Sequence, residues 1–309
     1  MKVLVLGGTG LIGKNLEEYV HDNNVYGEWY FVGSKDADLT IYEDVFKLFE
    51  RIEPAYVINL AAYVGGLYKN MSEGVEFFEN NILINMNVMR ASRKVQKLIS
   101  VMSTCIFPEE VTYPITEDKL HLGPPHYSNE GYSYSKRMID VLGKAYNREY
   151  GTNYVSVIPG NLYGKFDNFN LEDGHVIPAL IHKCFLAKEN NSSSLIVCGS
   201  GRPLRQFTYV VDFVRYLVWM LLEYEGDESL IISNQKENSI KDVVTIIAKE
   251  MGYKGEIYWD IEKSDGQFRK TVSSERLLRL TSDLYFRDIE EGICETVKWF
   301  SCNYPNIRK

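Results

Sequence analysis

The spacing of apolar residues switches period repeatedly along the chain. Lys2 to Leu6 is a short apolar run that stops at glycines, and a helical face follows at once in Leu11, Ile12, Leu16, Tyr19 and Val20. Trp29 to Gly33 reads as a second strand, and Val45, Leu48, Phe49 and Ile52 give the i, i+3, i+4, i+7 spacing of a helix. "AYVINLAA" (55–62) predicts a third strand and "KLISVMS" (97–103) a fourth, with Phe78, Ile82, Met86 and Met89 marking the buried face of a helix between them. A helix over Tyr132 to Tyr150, a strand over Tyr154 to Ile158 and a helix over Val211 to Tyr224 continue the alternation.

Such alternation predicts an α/β fold, a doubly wound parallel sheet of Rossmann type whose ligand site lies at the carboxyl ends of the strands. Past Gly164 the order loosens into a polar loop, a helix near Pro178 to Lys188, the run "KENNSSS" and a strand at Leu195 to Val197. The expected division is a dinucleotide-binding domain over 1–164, with 206–234 returning to it. Residues 165–205 and 235–309 then form a smaller substrate-binding lobe.

Composition narrows the function classes. The 309 residues are 45% apolar and 25% charged, and no apolar run reaches the roughly 18 to 20 residues of a membrane span. The amino-terminal apolar run stops at glycines without a cleavage site, so it is expected to be a buried strand and not a leader. Five scattered cysteines with no CxxC pair predict reduced thiols in a cytoplasmic protein, and no zinc site. A net charge of -8 without a basic stripe argues against nucleic acid as a partner.

"LGGTGLIG" joins the first strand to the first helix. It reads as Gly7, Gly10 and Gly13, or as Gly8, Gly10 and Gly13, and both place bare backbone where a pyrophosphate meets a helix N-terminus. Leu11 and Ile12 open that helix, and Leu60, Ala61 and Ala62 after the third strand complete the expected cofactor wall. An enzyme for NAD places an acid after the second strand to hold the ribose 2'-hydroxyl. Here Ser34 and Lys35 come first, and a hydroxyl and a cation suit the 2'-phosphate of NADP; Asp36 is the counter-indication, while Asp38 and Leu39 are assigned to a turn near the adenine.

Tyr132 has Lys136 four residues later, one turn away on the same helix face. An adjacent ammonium is expected to favour the phenolate and to ready Tyr132 for proton exchange with a carbonyl. Ser103, at the end of the fourth strand, is the expected second hydrogen bond to that oxygen. Two residues on, Cys105 would lie on the same face if the chain stays extended. A ketone reductase has no need of this thiol. A ketosugar epimerase does, because carbons flanking a C4 ketone carry acidic hydrogens that a cysteine can remove or return.

Gly7, Gly10, Gly13, "NLAA", Ser103, Tyr132 and Lys136 resemble the pattern of the extended short-chain dehydrogenase/reductase family, with Leu6 where Thr or Ala is usual. "STCIFP", "GGLYKN", "GYSYSKRMID", "DNFNLEDGHVIPALIHK" and "KSDGQFRK" further resemble the branch whose members are NADPH-dependent 3,5-epimerase/4-reductases of GDP-4-keto-6-deoxymannose. That resemblance implies Cys105 and His175 as the epimerisation pair, with Asn161, Arg205 and Lys270 as GDP-sugar contacts. It also implies a homodimer through the helices at Glu73 to Ala91 and Tyr132 to Tyr150, with Met138, Leu142 and Tyr146 as contacts. Departures are Cys198 where Trp is frequent, Pro159-Gly160-Asn161, and Gly164-Lys165-Phe166-Asp167. The alternatives are another nucleotide-sugar 4-epimerase or 4-reductase of the same fold, or a nicotinamide-binding sensor without turnover.

Overall fold

In Lys2–Leu6 (β1), Val3 and Val5 point to one face of a sheet and Leu4 and Leu6 to the other, and all four are fully buried. A strand apolar on both sides must lie inside a covered sheet. The computed structural model places it there and describes every residue except 264, 266–268 and 282–284, and except the side chains of 67 and 68.

The first half of the chain runs through Leu11–Asp22 (α1), Glu28–Val32 (β2), Tyr42–Ile52 (α2), Tyr56–Asn59 (β3), Leu67–Ser72 (α3), Gly74–Ala91 (α4), Lys97–Val101 (β4) and Glu130–Tyr150 (α5). Then come Tyr154–Pro159 (β5), Asn161–Tyr163 (β6), Val176–Glu189 (α6), Ser194–Cys198 (β7), Leu204–Tyr209 (β8), Val210–Leu222 (α7) and Leu230–Ile232 (β9). Glu237–Ser239 (β10), Ile240–Met251 (α8), Glu256–Asp260 (β11), Glu275–Leu280 (α9) and Ile289–Asn303 (α10) complete the order.

Six strands form one parallel sheet in the order β2-β1-β3-β4-β5-β9. The order reverses between β1 and β3, so a crevice opens at their carboxyl ends. On one face, α1 and α7 supply Leu16, Phe213 and Leu217; on the other, α2, α4 and α5 supply Val45, Leu48, Val88 and Ile139. A third core, with Phe169, Ile181, Ile247, Ile293 and Phe300, joins α6, α8 and α10 to the small sheets β10-β8-β6 and β11-β7. Val272 and Leu277, within the 235–309 segment, pack into the cores of the large sheet instead.

The predicted stripe of α2 is the buried one: Val45, Leu48, Phe49 and Ile52. That of α4 is not. Phe78 is exposed and Ile82 and Met86 are only partly covered, so of the four predicted residues Met89 alone is buried. The inward side carries Phe77, Asn81, Ile84, Asn85, Asn87 and Val88, because Asn81 and Asn87 hold loop backbone and Asn85 accepts from the Asn59 side chain, partners that the apolar pattern ignores. On α5, Tyr146 is likewise buried, against Tyr150 and Tyr154, and so is unavailable as the dimer contact expected of it.

Candidate active site

Each glycine after β1 answers a different demand. Gly7 has φ +79°, and a Cβ on it would approach the Ala61 amide nitrogen to 2.9 Å. One on Gly13 would lie 2.5 Å from the Gly8 Cα. At Gly10 the nearest atom would be the Gly7 carbonyl at 3.5 Å, an ordinary contact. Packing therefore permits a side chain at Gly10, and its absence leaves the N-terminal amides of α1 open to a phosphate. Leu11 and Ile12 pack on the core beneath. Across the crevice, the Leu60 amide donates to the Leu6 carbonyl at 2.9 Å and the Ala61 amide to Asn59 Oδ1 at 3.2 Å, with Ala62 next in the chain.

The asparagines of α4 hold this wall. Asn81 accepts from the Tyr63 amide and donates to the Tyr63 carbonyl, both at 3.0 Å, and Asn87 Nδ2 donates to the Leu39 carbonyl at 3.0 Å. After β2, Ser34 and Lys35 are exposed, and Lys35 forms no ion pair among the described residues. Asp36 is exposed too, but its Oδ2 is engaged, accepting from the Gly33 amide at 2.7 Å. Hydrogen bonds from the Thr40 hydroxyl and amide hold the Asp38 carboxyl below its usual range. Both acids are engaged in the turn while the cation is free, an arrangement that fits a 2'-phosphate.

β4 ends at Val101, and the chain does not stay extended to Cys105. Thr104–Ile106 is a single 3-10 turn capped by Ser103, whose Oγ accepts from the Cys105 amide at 3.4 Å. The thiol is thus presented by a turn and not by the strand alternation expected. Tyr132 lies in the first turn of α5, its ring edge-on to Phe77 at 6.3 Å, and Phe77 in turn packs on Tyr63 at 4.9 Å. Burial raises the Tyr132 phenol above its ordinary value, and charge on Cys105 raises it further. This corrects the phenolate expected from Lys136, whose ammonium donates to the Val101 carbonyl at 2.9 Å. Burial pushes Lys136 itself down to about 8. In this state Tyr132 holds its proton, as an acid toward a carbonyl must.

Tyr132, Lys136, Arg137 and Lys270 each interact electrostatically with Cys105, so all four lie within reach of one thiol. Burial lowers the Lys270 ammonium, the nearby Cys105 opposes this, and Arg205 adds to it, so Lys270 lies within electrostatic reach of both. Burial lowers Arg205 as well. Asn161 Nδ2 donates to the Gln206 carbonyl at 2.8 Å, tying β6 to β8. His175 is the N-cap of α6, exposed, with its pKa lowered by desolvation and by Arg308. No hydrogen bond or ion pair joins it to the other four catalytic candidates among the described residues. Its loop does meet the site's rim, because Asp173 lies against Gly66 and acts electrostatically on Lys69.

The chain matches the model of the NAD dependent epimerase/dehydratase family over residues 3–233. It is 50% identical over 312 residues to a GDP-L-fucose synthase of Dictyostelium discoideum, covering 99% of this chain and 97% of that one. This chain belongs to that family, the extended short-chain dehydrogenase/reductases, and to its GDP-L-fucose synthase branch. A probable GDP-L-fucose synthase of Drosophila melanogaster is 45% identical over 100% of this chain and 99% of its own. The crystal structure of a GDP-L-fucose synthetase from Naegleria fowleri bound to NADP superposes with TM-score 0.96 at 44% identity, covering 100% of this chain and 95% of that one.

Of the motif "KSDGQFRK", residues 264 and 266–268 lie outside the described residues. Sequence reasoning missed Asn81, Asn87 and Arg137. A buried polar side chain among apolar helix positions was the available signal for the two asparagines.

Proposed function

We propose that the protein converts GDP-4-keto-6-deoxy-D-mannose to GDP-L-fucose, inverting C3 and C5 and then reducing C4. The observation that carries this reading is a thiol, Cys105, grouped with Tyr132 and Lys136 in the crevice of a dinucleotide-binding sheet. Residues 1–164 with 206–234 act as the cofactor domain and 165–205 with 235–309 as the substrate lobe, with β6 and β8 pairing in the lobe's small sheet and Val272 and Leu277 anchoring the lobe in the cores of the large one. NADPH, when bound, supplies the hydride for C4. Gly7, Gly10, Gly13 and the α1 amides take its pyrophosphate, and Ser34 and Lys35 its 2'-phosphate. Asp38 and Leu39 border the adenine, and Leu60 to Ala62 line the far wall.

Cys105 and His175 exchange protons at C3 and C5 from opposite sides of the sugar ring, each step passing through an enediolate whose oxygen takes hydrogen bonds from Ser103 and Tyr132. Tyr132, which keeps its proton in this environment, then donates it to the C4 oxygen, and Lys136 orients the cofactor beside it. Arg205 and Lys270 hold the diphosphate, Arg205 by its fork of donors, and Asn161 borders the sugar. The chain works in the cytoplasm as a homodimer through α4 and α5, which pack side by side and leave Val75, Phe78, Leu83 and Val141 exposed. Among the described residues no helix is long and apolar enough to cross a membrane.

Incubation with NADPH and the 4-keto sugar in deuterated water tests the reading. Solvent deuterium at both C3 and C5 of a fucose product, lost in Cys105→Ser, is the expected result. A reduced sugar without deuterium at those carbons would leave a simple 4-reductase.

A further inference from the structure

Arg137 follows Lys136 on α5 and is 5% exposed. A buried guanidinium ordinarily pairs with a carboxylate, yet among the described residues Arg137 has no ion pair, and its donors go to backbone. Nε donates to the Ile106 carbonyl at 2.9 Å, Nη2 donates to the same oxygen, and Nη1 donates to the Gly123 carbonyl at 2.9 Å. The guanidinium also stands 5.2 Å from the centroid of the Tyr134 ring.

Ile106 is the last residue of the turn that carries Cys105. That turn is weakly held from within. Its own hydrogen bonds are long: Ile106 amide to Ser103 carbonyl 3.2 Å, Phe107 amide to Thr104 carbonyl 3.4 Å, and Cys105 amide to Ser103 Oγ 3.4 Å. A one-turn 3-10 helix with bonds of this length fixes a side chain poorly. Two N–H donors from a rigid, planar guanidinium converging on its terminal carbonyl fix it well. The same guanidinium lies close enough to respond to charge on the Cys105 sulfur.

We propose that Arg137 is a positioning residue for epimerisation, gripping the Ile106 carbonyl so that the Cys105 thiol is held in register with the sugar carbons and beside a fixed positive charge. The inference rests on the epimerase reading above. It separates the two chemistries of the site, because Lys136 is anchored to Val101 and Tyr132 is carried by α5, so this acid and its lysine do not depend on the Arg137 grip, while Ser103 meets the turn only through its two long hydrogen bonds. Proton transfer at carbon is sensitive to displacement of the base: an error of about 1 Å costs on the order of 100-fold.

The test compares the unsubstituted protein with Arg137→Met, which keeps the buried stem, and Arg137→Lys, which keeps the charge and a single donor group. Deuterium exchange at C3 and C5 of the 4-keto sugar in deuterated water reports epimerisation. Reduction of unepimerised sugar by NADPH is read by comparing Cys105→Ser alone with Cys105→Ser plus Arg137→Met. The expected result is exchange lower by on the order of 100-fold in Arg137→Met, partly recovered in Arg137→Lys, with reduction in the Cys105→Ser background unchanged within about 3-fold. Exchange equal to that of the unsubstituted protein overturns the inference. So does an equal loss of exchange and reduction, which marks a general structural role. Absence of exchange in the unsubstituted protein overturns the epimerase reading and the inference with it, and is recognisable before any variant is compared.

Discussion

Lys136 donates to the backbone carbonyl of Val101 at 2.9 Å, while its ammonium stands 6.0 Å from the centroid of the Tyr132 ring. The lysine is anchored to the end of β4, so the helix bearing the phenol is registered to the strand that leads to Ser103. Burial pushes its pKa down to about 8, below the value of about 10.4 in an unfolded chain. Between these values the unfolded state binds more protons, so this residue makes stability rise with pH from about 8 to about 10. Its share of the rise is about 3 kcal/mol across that window. Lys136→Met is expected to remove that slope from denaturant unfolding of the cofactor-free protein and to lower the rate of C4 reduction by at least about 100-fold.

Gly131, next to Tyr132, admits no side chain: a Cβ there would overlap the carbonyl oxygen of Gly74 at the start of α4. Backbone cannot yield as a flexible side chain does, so α4 and α5 would separate where Phe77 meets Tyr132. Gly131→Ala is expected to cost about 1–3 kcal/mol in urea unfolding and to depress reduction as well. Gly74→Ala, where an added Cβ meets nothing within 4 Å, is the control and should leave both nearly unchanged.

What the sequence made legible follows from how local each determinant is. Gly7 and Gly13 are required by close backbone approaches in one turn, and the apolar stripe of α2 is a direct consequence of a single buried face. The stripe of α4 was misread because the partners of Asn81 and Asn87 are loop backbone groups 18 and 48 residues away. Cys105 sits on a turn and not on the extended chain expected, since three residues of 3-10 turn after a strand have no periodicity of their own. The phenol of Tyr132 was expected to be acidified because spacing reveals the lysine but not the burial that outweighs it.

Lys97 is another buried cation with backbone partners. Its Nζ donates to the carbonyls of Met220, Leu221 and Tyr224 at 3.0, 3.1 and 2.6 Å, satisfying the C-terminal end of α7. Lys97→Met keeps the stem but strands three carbonyls, with an expected loss of about 2–4 kcal/mol. Unfolding in urea measures this. Reduction and exchange rates at a temperature well below the transition should be unaffected, because α7 ends at the pole of the sheet away from the crevice.

Lys35 decides between cofactors if the turn after β2 works as its geometry indicates. Asp36 is occupied by the Gly33 amide and Asp38 by Thr40, which leaves Lys35 as the charge open to a ligand at this turn. Lys35→Ala is expected to weaken NADPH binding by on the order of 10-fold while leaving NADH binding little changed. Fluorescence titration of both cofactors measures the ratio. Equal weakening of the two would place the 2'-phosphate elsewhere.

Asp167 carries the clearest pH dependence outside the catalytic group. It is 3% exposed, its Oδ1 accepts from the Asn168 amide at 2.8 Å, and its Oδ2 has no hydrogen-bond partner. Burial pushes the carboxyl up to about 7, against the Asn168 hydrogen bond and the charge of Arg308. The folded state therefore holds a proton that the unfolded chain has released by about pH 4. With fewer protons bound in the unfolded state, stability falls as pH rises from about 4 to about 7, and above that the group costs a constant amount. Asp167→Asn keeps an oxygen for the Asn168 amide and has no charge to bury. It is expected to be more stable than the parent by about 2–4 kcal/mol at pH 8, with the two converging toward pH 4. Urea unfolding at four pH values measures the difference. A constant offset between the two proteins would mean that Asp167 keeps the same protonation state across the range, and that its loop, which leads on to His175, does not titrate through this carboxyl.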